Sequence, residues 1–425
     1  MLTLPNGLRY LHWPHIMLWM LAVGLFLQIT GKVWIVSGGA RNTQIYLWLL
    51  LPSLVFVLSK YSSWRTVFVE KQYLPWLAFL AWVALSSIWA TGSETEAWSL
   101  AKRGLFICLY FLSIRLLLRR REEVFRRVLL FSVAVVTVGA LVSLVHQYGV
   151  VGKPIGFRAY RIDRSGIGGF VNYGWPVAAG IFNGAVSVWA IGYALDKRSS
   201  TLTAALWFIA YIVLATYVVM TGSRGAVLAL AGSSILAVLL QRSKFGVRLL
   251  VVVSVASVFA GIYFWDNLVY EFTDKQLSGR GDIWIYYLRV MSEHWWFGYG
   301  LGTPFQYHWP NGLWVSPHAH SLYLQQVYDS GVISLVLLLS GLVGVTYKAW
   351  LLRHNPWVRL VVPALLFALI AMLTDVERIF TRPSDMWTVF WLPVAILLAL
   401  HPAEKSLISR WVGLVRKLAR PNSGL

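Results

Sequence analysis

Cysteine occurs once in these 425 residues, as Cys108 inside an apolar run. No internal disulfide and no cysteine-based metal site can therefore form. Charge is scarce as well: 13% of the residues are charged, about half of what soluble domains carry. Acid is scarcer than base, with 17 Asp and Glu against 37 Lys and Arg, a formal charge of +20. There is no Walker loop, no dinucleotide fingerprint and no acidic pair in a large domain that would hold a metal-bound nucleotide sugar. Nucleotide-driven synthesis is thereby excluded, and any synthetic reaction must draw on a substrate that arrives activated.

Apolar residues are abundant instead. They make up 58% of the chain, and the mean hydropathy is +0.64. A soluble fold has nowhere to hide that much apolar surface, whereas a bundle of lipid-facing helices has no need to. The composition implies an all-α integral membrane protein, one polytopic domain over 1–425 with no large soluble partner domain. In a soluble protein so basic a balance would point to nucleic acid. Here short cytoplasmic loops collect Lys and Arg, so part of the excess serves topology and no nucleic-acid partner is expected.

A helix needs roughly 20 apolar residues to cross the hydrocarbon. Apolar runs place about twelve spans, near 15–36, 43–59, 74–91, 101–118, 128–149, 171–195, 201–221, 225–241, 247–265, 320–347, 358–374 and 387–401. The N-terminal run lacks a small-residue cleavage site and reads as a retained first span. Alternate loops are short and basic, carrying Lys60, Arg65 and Lys71, then Arg119 to Arg121 with Arg126 and Arg127, then Lys197 and Arg198. Arg242, Lys244, Arg248, Lys348, Arg353 and Arg359 follow, and the tail adds Lys405, Arg410 and Arg416. These loops and both termini are expected in the cytoplasm, and a bacterial inner membrane is the expected location. The other loops face outward. The longest, 266–319 between spans 9 and 10, contains Ile283, Trp284, Tyr287, Leu288 and Met291 at helical spacing. That stripe predicts an amphipathic helix lying at the outer membrane surface.

Outward loops should be poor in cations, yet these are not. Lys102 and Arg103 sit at the mouth of the fourth span, and Lys153, Arg158, Arg161 and Arg164 crowd one loop. Arg224 lies in Thr221-Gly222-Ser223-Arg224-Gly225, and Arg280 in Gly279-Arg280-Gly281, with Lys275 and Arg289 nearby. Arg378 and Arg382 occupy the last outer loop. Outer acids such as Glu94, Glu96, Asp163, Asp274 and Glu377 are fewer. Lipid headgroups or local ion pairs account for some of these cations. The sharper reading is a cationic chamber for a phosphorylated ligand, since guanidinium grips phosphate oxygens in pairs. The flanking glycines would allow tight turns and close approach.

Four of the nine histidines fall in 294–320, namely His294, His308, His318 and His320. A zinc site, a structural role and a general base are the three readings open to them. The same loop is rich in aromatics, including Trp284, Trp295, Trp296, Trp309 and Trp314, as an interfacial belt or as sugar-stacking faces.

These residues together resemble the bacterial O-antigen ligases, within a group that includes O-antigen polymerases and protein O-oligosaccharyltransferases. The group's pattern is His, then Asn, Ser or Gln, nine residues, then Gly-x-x-Gly. His320-Ser321 is followed by nine residues and Gly331-Val332-Ile333-Ser334, complete except that Ser334 replaces the last Gly. That departure is expected to touch helix packing rather than chemistry. Segment 164–173 also resembles the group's loop before a span. The resemblance implies transfer of a glycan from undecaprenyl pyrophosphate to lipid A–core at the periplasmic face, with inner-membrane lipids around it. It implies no cofactor and no metal. On that reading His320, Arg280 and Arg224 are catalytic, with His320 as the general base. Arg158, Arg161, Arg164, Lys102, Arg103, His318, Arg382 and Asp385 are then substrate-binding. An O-antigen polymerase is the nearest alternative. A lipid-glycan flippase is a more distant one, because its path would carry intramembrane charge toward both faces.

Overall fold

The structure, a computed structural model, describes residues 13–59, 70–273, 279–310, 312 and 315–401. Lys60, Arg65, Asp274, Lys275, Trp314, the tail cations from Lys405 onward and both termini lie outside the described residues. Helix occupies all twelve segments expected to span. In chain order these are α1 (Trp13–Trp34), α2 and α3 (Gly38–Ile45 and Leu51–Leu58, joined by a π turn), α4 (Leu74–Ser86) and α5 (Ala97–Arg120). Next come α6 (Glu122–Leu144), α7 (Pro176–Ala194), α8 (Thr201–Met220), α9 (Arg224–Gln241) and α10 (Lys244–Tyr263). After the long loop come α13 (Leu322–Leu351), α14 (Pro356–Ala371) and α15 (Leu392–Ala399), the last preceded by a π turn. Within that loop lie α11 (Trp265–Thr273), α12 (Arg280–Val290) and a hairpin pairing Tyr307 with Ser316 and His308 with Val315. Among the described residues, seven helical stretches are long and apolar enough to cross a membrane, and two shorter apolar ones, 356–371 and 387–399, accompany them. The chain is an all-α integral membrane protein.

Local sequence sets where these helices begin. Pro52, Pro75, Pro176, Pro356 and Pro393 sit in first turns, where a missing N–H costs nothing. Ser200, Ser223 and Asn355 cap α8, α9 and α14 by accepting from the amides of Thr203, Ala226 and Trp357. The two most enclosed segments are α7 from Ala179 onward and the run from Trp387 to Leu400, which the other helices surround. Glycine lets α7 be enclosed so tightly. A Cβ on Gly184 would lie 2.5 Å from the Phe367 ring, and one on Gly192 would lie 2.8 Å from Leu360. Small residues along one face let neighbouring helices approach closely where no hydrophobic force draws them together.

A second, smaller core forms outside the bundle. Ile283, Tyr287 and Met291 of the α12 region pack with Phe305, Ala319, Val327 and Tyr328. This corrects the expected surface helix: those three stripe residues are buried in protein, because the loop folds back over α13. Leu288 is exposed, together with Ile285.

α13 is broken at Gly331, with φ 74° and ψ 174°. The break is needed because the 294–300 segment presses into it, and a Cβ on Gly331 would sit 1.9 Å from the Trp296 carbonyl oxygen. Carbonyls near the break find donors outside the regular helix ladder. Tyr299 N–H donates to the Tyr328 carbonyl at 2.7 Å, and the Trp82 indole to that of Ser330 at 2.8 Å. The Ser334 hydroxyl donates to Gly331 O at 2.7 Å, approaches Gln326 O at 3.2 Å and accepts from the Gln326 amide. Ser334 in place of glycine thus repairs helix hydrogen bonding beside the kink. Gly331→Ala is expected to lower the thermal midpoint of the purified protein, the positive φ alone costing about 1–3 kcal/mol. Ser334→Gly should cost about 1 kcal/mol, the value of one such bond. An unchanged midpoint for Gly331→Ala would contradict this account of the kink.

Candidate active site

Four loops, 151–175, 221–223, 279–321 and 372–386, meet at one end of the bundle around a cavity of about 920 Å³. Six arginines line it, Arg103, Arg158, Arg161, Arg224, Arg280 and Arg378, with three carboxylates, Asp375, Glu377 and Asp385. His318, His320, Trp175 and Trp309 complete the polar and aromatic wall. Of the residues picked from sequence, the fold brings together Arg103, Arg158, Arg161, Arg224, Arg280, His318, His320 and Asp385. Lys102 and Arg382 are not on the wall. Arg164 forks onto its neighbour Asp163 at 2.7 and 2.9 Å and also lies off the cavity.

Arg224 and Arg280 share a placement that their spacing did not reveal: each is the first residue of a helix, α9 and α12. Each arginine therefore stands at a helix N-terminus, whose positive dipole end also favours anions. The glycines beside them serve unlike purposes. Gly222 makes the turn, with φ 63°, and packs on Arg161 and Arg158. Gly225 leaves room for Asp375, whose carboxylate oxygen lies 2.5 Å from where a Cβ would stand. Gly279 caps α12 at φ 74° under the Trp309 ring, while Gly281 has open space around it. Arg161 Nε donates to the Thr221 carbonyl at 2.7 Å and ties the 151–175 loop to the Arg224 turn.

Buried carboxylates hold the cations in place. Asp375, 4% exposed, pairs with Arg280 and accepts from the Thr374 hydroxyl. Asp329, 3% exposed, accepts from Arg378 through both oxygens, at 2.5 and 3.0 Å. Asp385 pairs with Lys32 of α1. Nothing in the sequence marks Asp375, Asp329 and Lys32 as partners of these cations and carboxylates. A lone charge at the edge of an apolar run signals function only when its partner is known. Burial would lower the Arg378 pKa, but the charge and bonds of Asp329 hold it above its ordinary value. Burial raises that of Glu377, with Arg378 opposing.

The histidine turn is fixed from several sides. The Trp284 indole donates to the Ala319 carbonyl at 2.9 Å, and the Ala319 N–H donates to Gln325 Oε1 at 3.0 Å. Gln325 in turn donates to Asp329 at 3.0 Å, so the turn and Arg378 share one carboxylate. His320 takes a left-handed conformation, φ 51°, that a non-glycine residue adopts only when its surroundings impose it. Its N–H donates to His318 Nδ1 at 3.1 Å, which leaves the His318 proton on Nε2. Burial first, then His318 and Arg280, push the His320 pKa down to about 3. Burial, then Arg378, lower His318 to about 4. Both rings are therefore neutral at neutral pH, with burial the main cause. His294 instead stacks on Tyr299, with centroids 4.1 Å apart, and His308 is in the hairpin. Among the described residues no three His, Cys, Asp or Glu side chains converge as a metal-ligand set.

A second cavity, about 540 Å³ and almost wholly apolar, opens beside the first. Ile155, Phe157, Val219, Met220, Val227, Leu228 and Phe264 line it. Arg158, Gly222, Ser223 and Arg224 belong to both walls, so the apolar groove and the cationic chamber meet at the α9 turn.

These features define a class: a polytopic membrane protein with an arginine–histidine chamber at one end that meets an apolar side groove. Within that class, residues 209–339 match the family model described as O-antigen ligase. The match takes in Arg224, Arg280, His318, His320 and Gly331. Over 392 residues the chain is also 26% identical to an O-antigen ligase of Pseudomonas aeruginosa, covering 92% of this chain and 93% of that relative. The resemblance carried by the His320 motif is thus met twice, by the family model over 209–339 and by a relative similar along nearly the whole chain.

Both histidines are neutral in the fold and titrate near 6.5 when unfolded. The unfolded chain therefore binds more protons as pH falls below about 6.5, and the stability these rings contribute is lost toward pH 3 to 4. Between pH 7.5 and 4.5 the thermal midpoint should fall. It should fall less steeply in a His318→Gln/His320→Gln double variant; equal slopes would count against neutral burial of the pair.

Proposed function

We propose that this protein is an O-antigen ligase of the periplasmic face of the bacterial inner membrane. It moves O-antigen glycan from undecaprenyl pyrophosphate to lipid A–core by inverting, metal-independent transfer. The observation that carries this reading is the meeting of chamber and groove at Arg158 and Arg224. A ligand with a diphosphate head and a long hydrocarbon tail matches both walls at once. A donor diphosphate esterified at both ends carries two negative charges, which suits a wall of six arginines and three carboxylates.

In the reaction an acceptor sugar hydroxyl gives its proton to the His320 ring, and its oxygen attacks the anomeric carbon. The bond from that carbon to the phosphate oxygen breaks, the configuration inverts, and the electron pair leaves with the undecaprenyl pyrophosphate. Arg224 and Arg280, each at a helix N-terminus, stabilise the charge growing on that leaving group. Burial, then the positive surroundings, depress the His320 pKa. Two negative charges placed among the arginines raise it, so the base gains strength with the donor bound.

Reconstitution with undecaprenyl-pyrophosphate glycan, lipid A–core and a chelator, without nucleotide, should yield glycan on the lipid A–core. Donor glycan that only lengthens would mean a polymerase, and donor that only crosses liposomes would mean a transporter. His320→Ala should cut the rate at least about a hundredfold while the donor still binds; substantial remaining turnover removes it as base. Arg224→Lys should cost about tenfold or more, because lysine keeps the charge and loses the planar fork. Free exchange by lysine would contradict paired phosphate contacts there.

A further inference from the structure

The groove accounts for the arginines on its own side of the chamber, Arg158 and Arg224. It leaves a different group that stands on other elements. Arg103 is on α5, and the next residue, Gly104, packs so closely on Phe380 that a Cβ would lie 3.2 Å from the ring. α5 therefore packs on the 378–382 loop one residue from Arg103. There Arg382 and Arg378 repel Arg103, while Asp329 and Glu377 attract it and the Tyr46 phenol lies nearby. Arg378 is already satisfied, by Asp329 on two bonds and by Glu377 at 2.6 Å. Arg103 is not: its Nε is buried and has no hydrogen-bond partner. Arg382 is exposed and follows Thr381, whose hydroxyl lies 2.9 Å from that of Ser384; Thr381 and Ser384 both line the chamber.

Two guanidiniums on one wall, one of them with a buried donor unused, and a third near enough to repel it make an arrangement that a second anion would relieve. We propose that Arg103 and Arg382, backed by Arg378, form a second anion subsite that takes a phosphate ester of the acceptor glycolipid. It is distinct from the diphosphate seat at Arg158 and Arg224. The proposal rests on the glycosyl-transfer reading for the identity of that ligand. Its chemistry, a phosphate monoester held by two guanidiniums and flanking hydroxyls, stands on the geometry. A phospholipid headgroup offers a similar phosphate, so the test must separate the two sources.

The protein would be purified into nanodiscs of phosphatidylcholine. Acceptor lipid A–core would be supplied either intact or stripped of its phosphates by hydrofluoric acid. Binding of each acceptor and KM for acceptor and donor would be measured for the wild type, Arg103→Gln and Arg382→Gln. Stripping the phosphates should weaken acceptor binding to the wild type about tenfold. Each variant should bind the intact acceptor about tenfold more weakly, leave KM for the donor alone, and treat the stripped acceptor as the wild type does. Variants that weaken both acceptors equally, or that raise KM for the donor, overturn the subsite. So does a loss that appears only when anionic phospholipid replaces phosphatidylcholine, which would assign these arginines to headgroups. If the wild type binds the phosphorylated acceptor preferentially yet transfers nothing, the transfer reading falls and the subsite stands. Arg382 is exposed, so its variant keeps the test sound if Arg103→Gln does not fold.

Discussion

Like charges do not gather unaided at the edge of a membrane. Two unit charges about 4 Å apart repel by about 4 kcal/mol at an effective dielectric of about 20. Buried carboxylates hold two of the six chamber arginines, Arg280 and Arg378, from behind. Asp375 holds Arg280 and lies against Gly225, beside Arg224. Asp329 holds Arg378 and, through Gln325, the amide inside the histidine turn. Asp385 holds Lys32. Each carboxylate joins elements far apart in sequence, so the charge arrangement and the packing of the loops are one constraint.

The helices supply what that constraint needs. Glycines on α7 let it be enclosed, and Gly180 leaves room for the Thr221 and Ser223 side chains of the α9 turn. The break at Gly331 lets the 294–300 segment dock into α13, which steadies the loop bearing His318 and His320. Arg224 and Arg280 then stand at helix starts that face the same cavity. Side-chain charge, helix dipole and a base kept neutral by burial all favour one ligand, an anion with a hydroxyl partner beside it.

Much of this was legible in the sequence. Long apolar runs fixed the helix positions, because a span must be both long and apolar. Cations outside the basic loops marked the chamber, because topology had no use for them there. What was hidden depends on distant pairing. Nothing near Asp329 or Asp375 announces Arg378 or Arg280. The stripe of Ile283, Tyr287 and Met291 has the same period whether it meets lipid or the underside of its own loop. Gly225 looked like a turn glycine, and only the position of the Asp375 carboxylate shows that it makes room instead. The replacement of glycine by Ser334 gained its meaning from the carbonyl of Gly331.

The central claim is that the chamber and groove together recognise a diphosphate on a long hydrocarbon tail. Titrating the protein in nanodiscs with undecaprenyl pyrophosphate, undecaprenyl phosphate and undecaprenol tests it most directly. The account predicts tightest binding for the pyrophosphate, about tenfold weaker binding for the monophosphate, and a further drop for the alcohol, with the differences shrinking as salt rises. Equal affinity for all three would mean that the arginines do not read the phosphates, and the account would be wrong.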